Sequence, residues 1–213
     1  MRIARVLPPP LARPGRVDAV AAVGSAMRTF ALGLLLAAVA SFAPDVQGQG
    51  VLVDKSDIRF YTKQLGVTVE GRFRKWNADV DFRADDPARS RVAFRIDLGS
   101  IDFASDETEK EMQRPGWFDT VKFPEASFVS SGVKDLGAGR YDISGRFTLK
   151  GLTQDIVVPV RVANDGAGYP VARGEFTLKR LQFTVGDGPW NDTSVVADDV
   201  LVRVRLTLPR TGS

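Results

Sequence analysis

The 213-residue chain contains neither cysteine nor histidine. Without cysteine it has no disulfides, no thiolate nucleophile and no residue to carry a lipid at the end of a leader. Without histidine it has no imidazole base, and the two absences together exclude Cys/His metal cages. No catalytic residue, metal ligand or cofactor motif stands out. Helical patterning is also scarce, and most of the chain reads as strands and turns. Positive charge is misleading at first sight. The net charge of +3 and a pI near 9.3 suggest an anionic partner, but the first 40 residues hold Arg2, Arg5, Arg13, Arg16 and Arg28 against Asp18 alone. The basic character therefore belongs to the start of the chain, and a nucleic-acid partner is not expected.

From Met27 the chain reads MRTFALGLLLAAVASFAPDVQGQG: a basic residue, an apolar run over 30–43, then small and polar residues. That run is shorter than the roughly 20 residues of a spanning helix, and it suits the apolar core of a secretory signal. Ala38-Val39-Ala40 offers a small-residue cleavage site, and a cut nearer Gly48 is also compatible. We therefore expect residues 1–48 to be signal peptide and leader, with translation starting at Met1 or at Met27. Residues 49–213 form the domain, which is expected in the periplasm or secreted, with no membrane span once the signal is removed.

Within that domain the dominant period is two. In RYDISGRFTLKGLTQDIVVPVRV (140–162), Tyr141, Ile143, Phe147 and Leu149 share one face while Asp142, Ser144, Arg146 and Thr148 share the other. The alternation breaks at Lys150-Gly151 and resumes with Ile156, Val158, Val160 and Val162, which reads as an antiparallel hairpin. Pro159, on the wetted side, marks a bulge or an edge. Val92, Phe94, Ile96 and Leu98 alternate just as cleanly with Arg91, Ala93, Arg95 and Asp97. So do Val200, Val202, Val204, Leu206 and Leu208 near the end, and a further strand is expected through Phe176, Leu178 and Phe183. A turn is expected at Trp76-Asn77. Residues 105–113, SDETEKEMQ, predict the one helix of the domain: Ser105 caps it, acids fill its first turn, Asp106 and Lys110 are spaced to pair, and Pro115-Gly116 stops it. The fold class is all-β. Eight or nine strands with short connections exceed what one twisted sheet holds open, so a barrel or a sandwich follows.

Three segments carry a resemblance: DKSDIRFYTKQLGVTVEGRF (54–73), GWFDTVKFPEASF (116–128) and GRFTLKGLTQDIVVPV (145–160). In order and spacing they resemble the YceI family across residues 51 to 208. That resemblance implies a lipocalin-like antiparallel barrel of about eight strands with one short connecting helix. It also implies an isoprenoid or quinone-like lipid as partner, bound inside the barrel. The chain departs from the family at LKRLQFTVGDG (178–188) and in lacking a histidine near the first strand.

The candidate ligand-binding residues are the apolar side chains of the inward faces, Phe73, Phe82, Phe94, Ile96, Phe128, Tyr141, Ile143, Phe147, Phe176 and Phe183, with Trp117 and Phe118 as rim or plug at one end. Ordinary core packing is the competing reading for each. Burial of one isoprene unit contributes roughly 3 kcal/mol, so a few units suffice for micromolar binding without a charged anchor. Lys150, Lys179 and Arg180 either meet an anionic head group at a barrel mouth or serve as surface charge. Asp102, Asp106, Glu107, Glu109 and Glu111 read as a solvated helix face. The expected function is non-enzymatic binding or carriage of an amphiphilic polyprenyl compound or quinone, and a homodimer is compatible with it. Two alternatives remain: a carboxylate-based hydrolase or isomerase, which needs a buried acid pair, and a structural envelope protein, which needs a filled barrel.

Overall fold

The computed structural model describes residues 49–103 and 105–210. The leader expected over 1–48 lies outside the described residues. Eleven strands follow in the order β1 (Gln49–Gly50), β2 (Asp57–Gln64), β3 (Val67–Phe73), β4 (Trp76–Asp81), β5 (Arg91–Asp97), β6 (Ile101–Asp102), β7 (Glu125–Gly137), β8 (Arg140–Leu149), β9 (Leu152–Asn164), β10 (Pro170–Lys179) and β11 (Asp199–Thr207). The helix α1 (Asp106–Met112) lies between β6 and β7. Every pairing is antiparallel.

The sheet order is β1-β4-β5-β7-β8-β9-β10-β11-β2-β3-β6, whose two ends meet through the chain itself. β3 runs into β4 through Arg74-Lys75, and β5 runs into β6 through a 3-10 turn at Leu98–Ser100. The Asp97 N–H donates to Lys75 O (3.1 Å) and the Arg74 N–H to Ser100 O (2.9 Å), so two kinked strands stay zipped across both bends. Counted as one strand each, they close a ring of eight. The break expected at Trp76-Asn77 therefore falls two residues earlier. It is a kink, because Ser100 Oγ accepts from the Lys75 N–H (2.9 Å) and holds the bend together.

Two further details depart from simple alternation. β7 is longer than its first apolar run because register shifts between Ser130 and Gly132 insert an extra residue, and the Ser130 hydroxyl accepts from Val92 N–H (2.9 Å) there. The strand expected through Phe183 stops at Lys179, and Arg180–Phe183 is a 3-10 turn. Its fourth residue is nevertheless among the most buried in the protein, at 1% exposure. β9 pairs with β10 only from Val160↔Gly174 to Asn164↔Pro170 and diverges toward its N-terminal half. Pro159 lies beside that divergence, as an edge position; its pairing with Asp142 of β8 is regular and contains no bulge. The hairpin turn Lys150-Gly151 needs positive φ at both positions (48° and 77°), which glycine supplies at the second.

The helix is capped as expected, with Ser105 Oγ accepting from Thr108 N–H (3.4 Å). Asp106 and Lys110 do not pair, however. Glu109 and Glu111 take the ion pairs instead, with Arg74 and Arg114 (3.1 Å each). Met112 is the one helical side chain buried, so α1 lies across the end of the barrel as a connector.

A candidate lipid cavity

The inward faces of the strands enclose a cavity of about 670 Å³. Alternation determines its lining: on β8 Tyr141, Ile143, Phe147 and Leu149 face in, on β9 Val158, Val160 and Val162, and on β11 Val200, Val202, Val204 and Leu206. Two glycines shape the wall. At Gly71 a Cβ would stand 2.3 Å from the Phe60 ring, and at Gly145 2.5 Å from the Phe128 ring and 2.6 Å from Val129 O. Each glycine thus lets a neighbouring strand's phenylalanine lie against the backbone.

All twelve side chains singled out from the sequence line this cavity. They are not equivalent. Phe128, Phe147 and Phe183 are buried, and Phe147 meets Phe183 edge-on with centroids 5.5 Å apart. Phe73, Phe94, Ile96, Ile143 and Phe176 are only half-buried and keep apolar surface toward the hollow. Phe82 and Tyr141 pack edge-on at 5.2 Å toward the other end of the barrel. Trp117 and Phe118 are buried at 7% exposure each, so they plug rather than rim their end, and Trp117 packs on Trp190 (5.5 Å). The Trp117 Nε1–H is the one buried side-chain polar atom among the described residues without a partner.

Other lining residues were not singled out. Phe60 joins Phe73 (5.4 Å) and Phe103 (5.3 Å) in an aromatic cluster. The period-two pattern of β2 already places Phe60, Thr62 and Gln64 on one face, whereas Phe103 follows a two-residue strand and has no periodic signal. Gln64, Glu107, Thr108, Lys110 and Arg114 are exposed members of the lining and mark where the cavity meets solvent beside α1.

The three basic candidates go elsewhere. Lys179 pairs with Asp199 on the outside. Lys150 Nζ donates to Pro115 O (2.8 Å) and Thr184 O (2.7 Å), and its partial burial lowers its pKa. Arg180 is a correction of both sequence readings: it is 4% exposed, neither surface charge nor a mouth residue. Its Nε donates to Ala197 O (3.0 Å), Nη1 to Val185 O and Gly186 O (2.9 and 2.8 Å), and Nη2 to Trp190 O and Val196 O (2.7 Å each). Five N–H groups meet five carbonyls, so the guanidinium clasps residues 180–197 over the end of the barrel. Desolvation lowers its pKa, although a guanidinium remains charged.

Among the described residues no Asp or Glu is buried, and no group of acids is placed to hold a metal ion. Asp102 and Glu109, the least exposed of the helix-face acids, pair with Arg72 and Arg74. No helix among the described residues is long and apolar enough to cross a membrane.

Comparison with known proteins agrees with this architecture. The YceI-like domain family matches residues 51–208. BcnA of Burkholderia cenocepacia is similar in structure, with a TM-score of 0.72 and 35% identity over 75% of this chain and 99% of that one. A UPF0312 protein of Pseudomonas savastanoi is 30% identical over 175 residues, 79% of this chain and 88% of that protein. A domain from Saccharophagus degradans described as polyisoprenoid binding shares the fold, with a TM-score of 0.58 and 17% identity over 75% of this chain and 98% of its own. The chain therefore belongs to the YceI-like domain family.

Proposed function

We propose that this protein is an exported carrier that holds an amphiphilic isoprenoid-type lipid, a polyprenyl compound or a quinone, inside its barrel without a covalent step. The observation that carries the proposal is an apolar cavity that its own side chains leave unfilled. Its volume of about 670 Å³ falls within the range of about 300–1,000 Å³ typical of small-molecule sites. Half-buried phenylalanine, isoleucine and valine side chains surround it, and each gains burial when a hydrocarbon chain enters, at about 25 cal/mol per Å² of apolar surface covered. A structural protein has no use for that unfilled space, and a carboxylate hydrolase needs a buried acid pair facing it. The polyisoprenoid binding of the Saccharophagus domain supports the choice of lipid class. Export is proposed from the sequence over 27–48 alone.

The test is mass spectrometry of organic extracts from natively purified protein. A recurrent isoprenoid at close to one molecule per chain is the expected result. Clean extracts from several preparations, together with failure to bind added polyprenols, would sink the proposal.

A further inference from the structure

We propose, building on the lipid-carrier reading, that the lipid held here has an uncharged head, as a quinone or a polyprenol does, and that the barrel discriminates against the diphosphate or carboxylate form of the same chain. The inference comes from accounting for every charge near the cavity. An anionic head drawn into an apolar lumen loses hydration, and only a free cation with donors to spare repays that loss. The buried cation of the wall is Arg180, and its five N–H groups already serve five backbone carbonyls. Recruiting it would orphan the carbonyls that close the end of the barrel. Lys150 is not part of the cavity lining, and two of its three N–H groups go to Pro115 O and Thr184 O. Arg72 and Arg74 are held by Asp102 and Glu109.

What remains is the solvent-facing lining beside α1. It contributes Glu107, Lys110, Glu111 and Arg114, two acids and two bases, with Arg114 paired to Glu111 (3.1 Å). Among the described residues Lys110 forms no ion pair, but Glu107 and Glu111 flank it in sequence and leave this part of the lining without net charge. A doubly or triply negative head approaching this mouth meets no net attraction. The other end of the lining, around Phe82, Val133, Tyr141 and Val162, contributes no charge. A row of four arginines, Arg140, Arg161, Arg173 and Arg205, in register across β8 to β11, alternates with lumen residues and so stands on the outer face. A neutral head asks for none of these cations. It leaves with the mouth's exposed Gln64, Thr108 and water, and the chain supplies the affinity.

The experiment compares geranylgeraniol with geranylgeranyl diphosphate, one chain with two heads, below their micelle-forming concentrations and against the delipidated full protein. Binding is read from the change in tryptophan fluorescence, to which Trp117 and Trp190 of the lining contribute alongside Trp76. The alcohol is expected to bind at least about ten-fold more tightly. Equal or tighter binding of the diphosphate overturns the neutral-head inference and leaves the carrier reading standing, whereas binding of neither ligand overturns both. A double variant, Glu107→Gln with Glu111→Gln, removes the two acids that α1 gives to the lining and makes the lining at the mouth net positive. It should narrow the gap between the two heads several-fold at low ionic strength, and about 1 M salt should restore the gap. A gap that does not move shows that the mouth charges do not select the head, and it counts against the inference.

Discussion

Two neighbouring regions of this protein treat burial in opposite ways. Around Arg180 a charge is buried and every one of its donors is met, so residues 180–197 close over the barrel end by hydrogen bonding. Along the strands that this segment caps, apolar side chains that could pack together stand around a hollow. Cores elsewhere are packed nearly as densely as organic crystals. The clasp is where satisfaction is complete and stability is expected to concentrate. The lumen forgoes packing energy, and that forgone energy is what a hydrocarbon guest recovers. Stability and binding are thus assigned to different side chains, which makes them separable by mutation.

The largest effect expected is at the clasp. Arg180→Met keeps most of the side-chain volume but strands five carbonyl acceptors, and each buried unsatisfied group costs about 1–3 kcal/mol, offset by removal of a buried charge. Urea denaturation should show a net loss of about 3 kcal/mol or more, and Arg180→Lys, with three donors, should recover only part of it. Next comes the packed wall. Gly145→Ala forces a methyl into the Phe128 ring and Val129 O, and should cost about 1–3 kcal/mol.

The hollow should respond in the opposite sense. Ala172→Phe adds a ring where the lining is unfilled, so stability should change by less than about 1 kcal/mol while polyprenol affinity falls at least about ten-fold. If Ala172→Phe destabilised as much as Gly145→Ala, the lumen would be packed after all and the contrast would collapse. Trp117→Phe straddles the two regions. It removes a buried N–H that has no acceptor, which offsets the volume lost, so the melting temperature of the delipidated protein should barely move.

The smallest expected effect is an acid-limb control remote from both regions. Backbone N–H groups of Tyr169 and Ala167 hold the Asp165 carboxyl below the usual carboxylate range. A carboxylate with a depressed folded pKa stabilises at neutral pH, and that contribution is lost as pH falls through the folded value. Asp165→Ala should flatten the acid side of a stability-against-pH curve slightly and leave lipid affinity alone.

Much of this was legible in the sequence because a half-wet strand announces itself. Val92 to Leu98 and Val200 to Leu208 alternate without a fault, and the side chains they place inward are the ones that line the cavity. What escaped is what depends on partners distant in sequence. Ser131 lies at a bulge that only pairing with β8 reveals, so the inward face of β7 shifts beyond Phe128 to Val133. Phe183 was placed inward by the wrong element: a 3-10 turn carries it, and edge contact with Phe147 buries it. Arg180 sits in a run, LKRLQF, that looks like a surface turn. Nothing local says that carbonyls up to seventeen positions onward converge on it. The helix pair Asp106–Lys110 followed the i, i+4 rule, but an arginine from the kink between β3 and β4 and one from beyond the helix reached other acids instead.

The separation of β9 from β10 has a consequence for how the molecule behaves at high concentration. Wherever one strand leaves its neighbour, a row of amides and carbonyls is offered to any passing chain, which is how sheets recruit copies of themselves into aggregates. Here the outward residues of the bared stretch include the charged Asp155, and Pro159 ends it without an amide hydrogen to give. The wall can therefore stay incomplete on one side and still not act as a template.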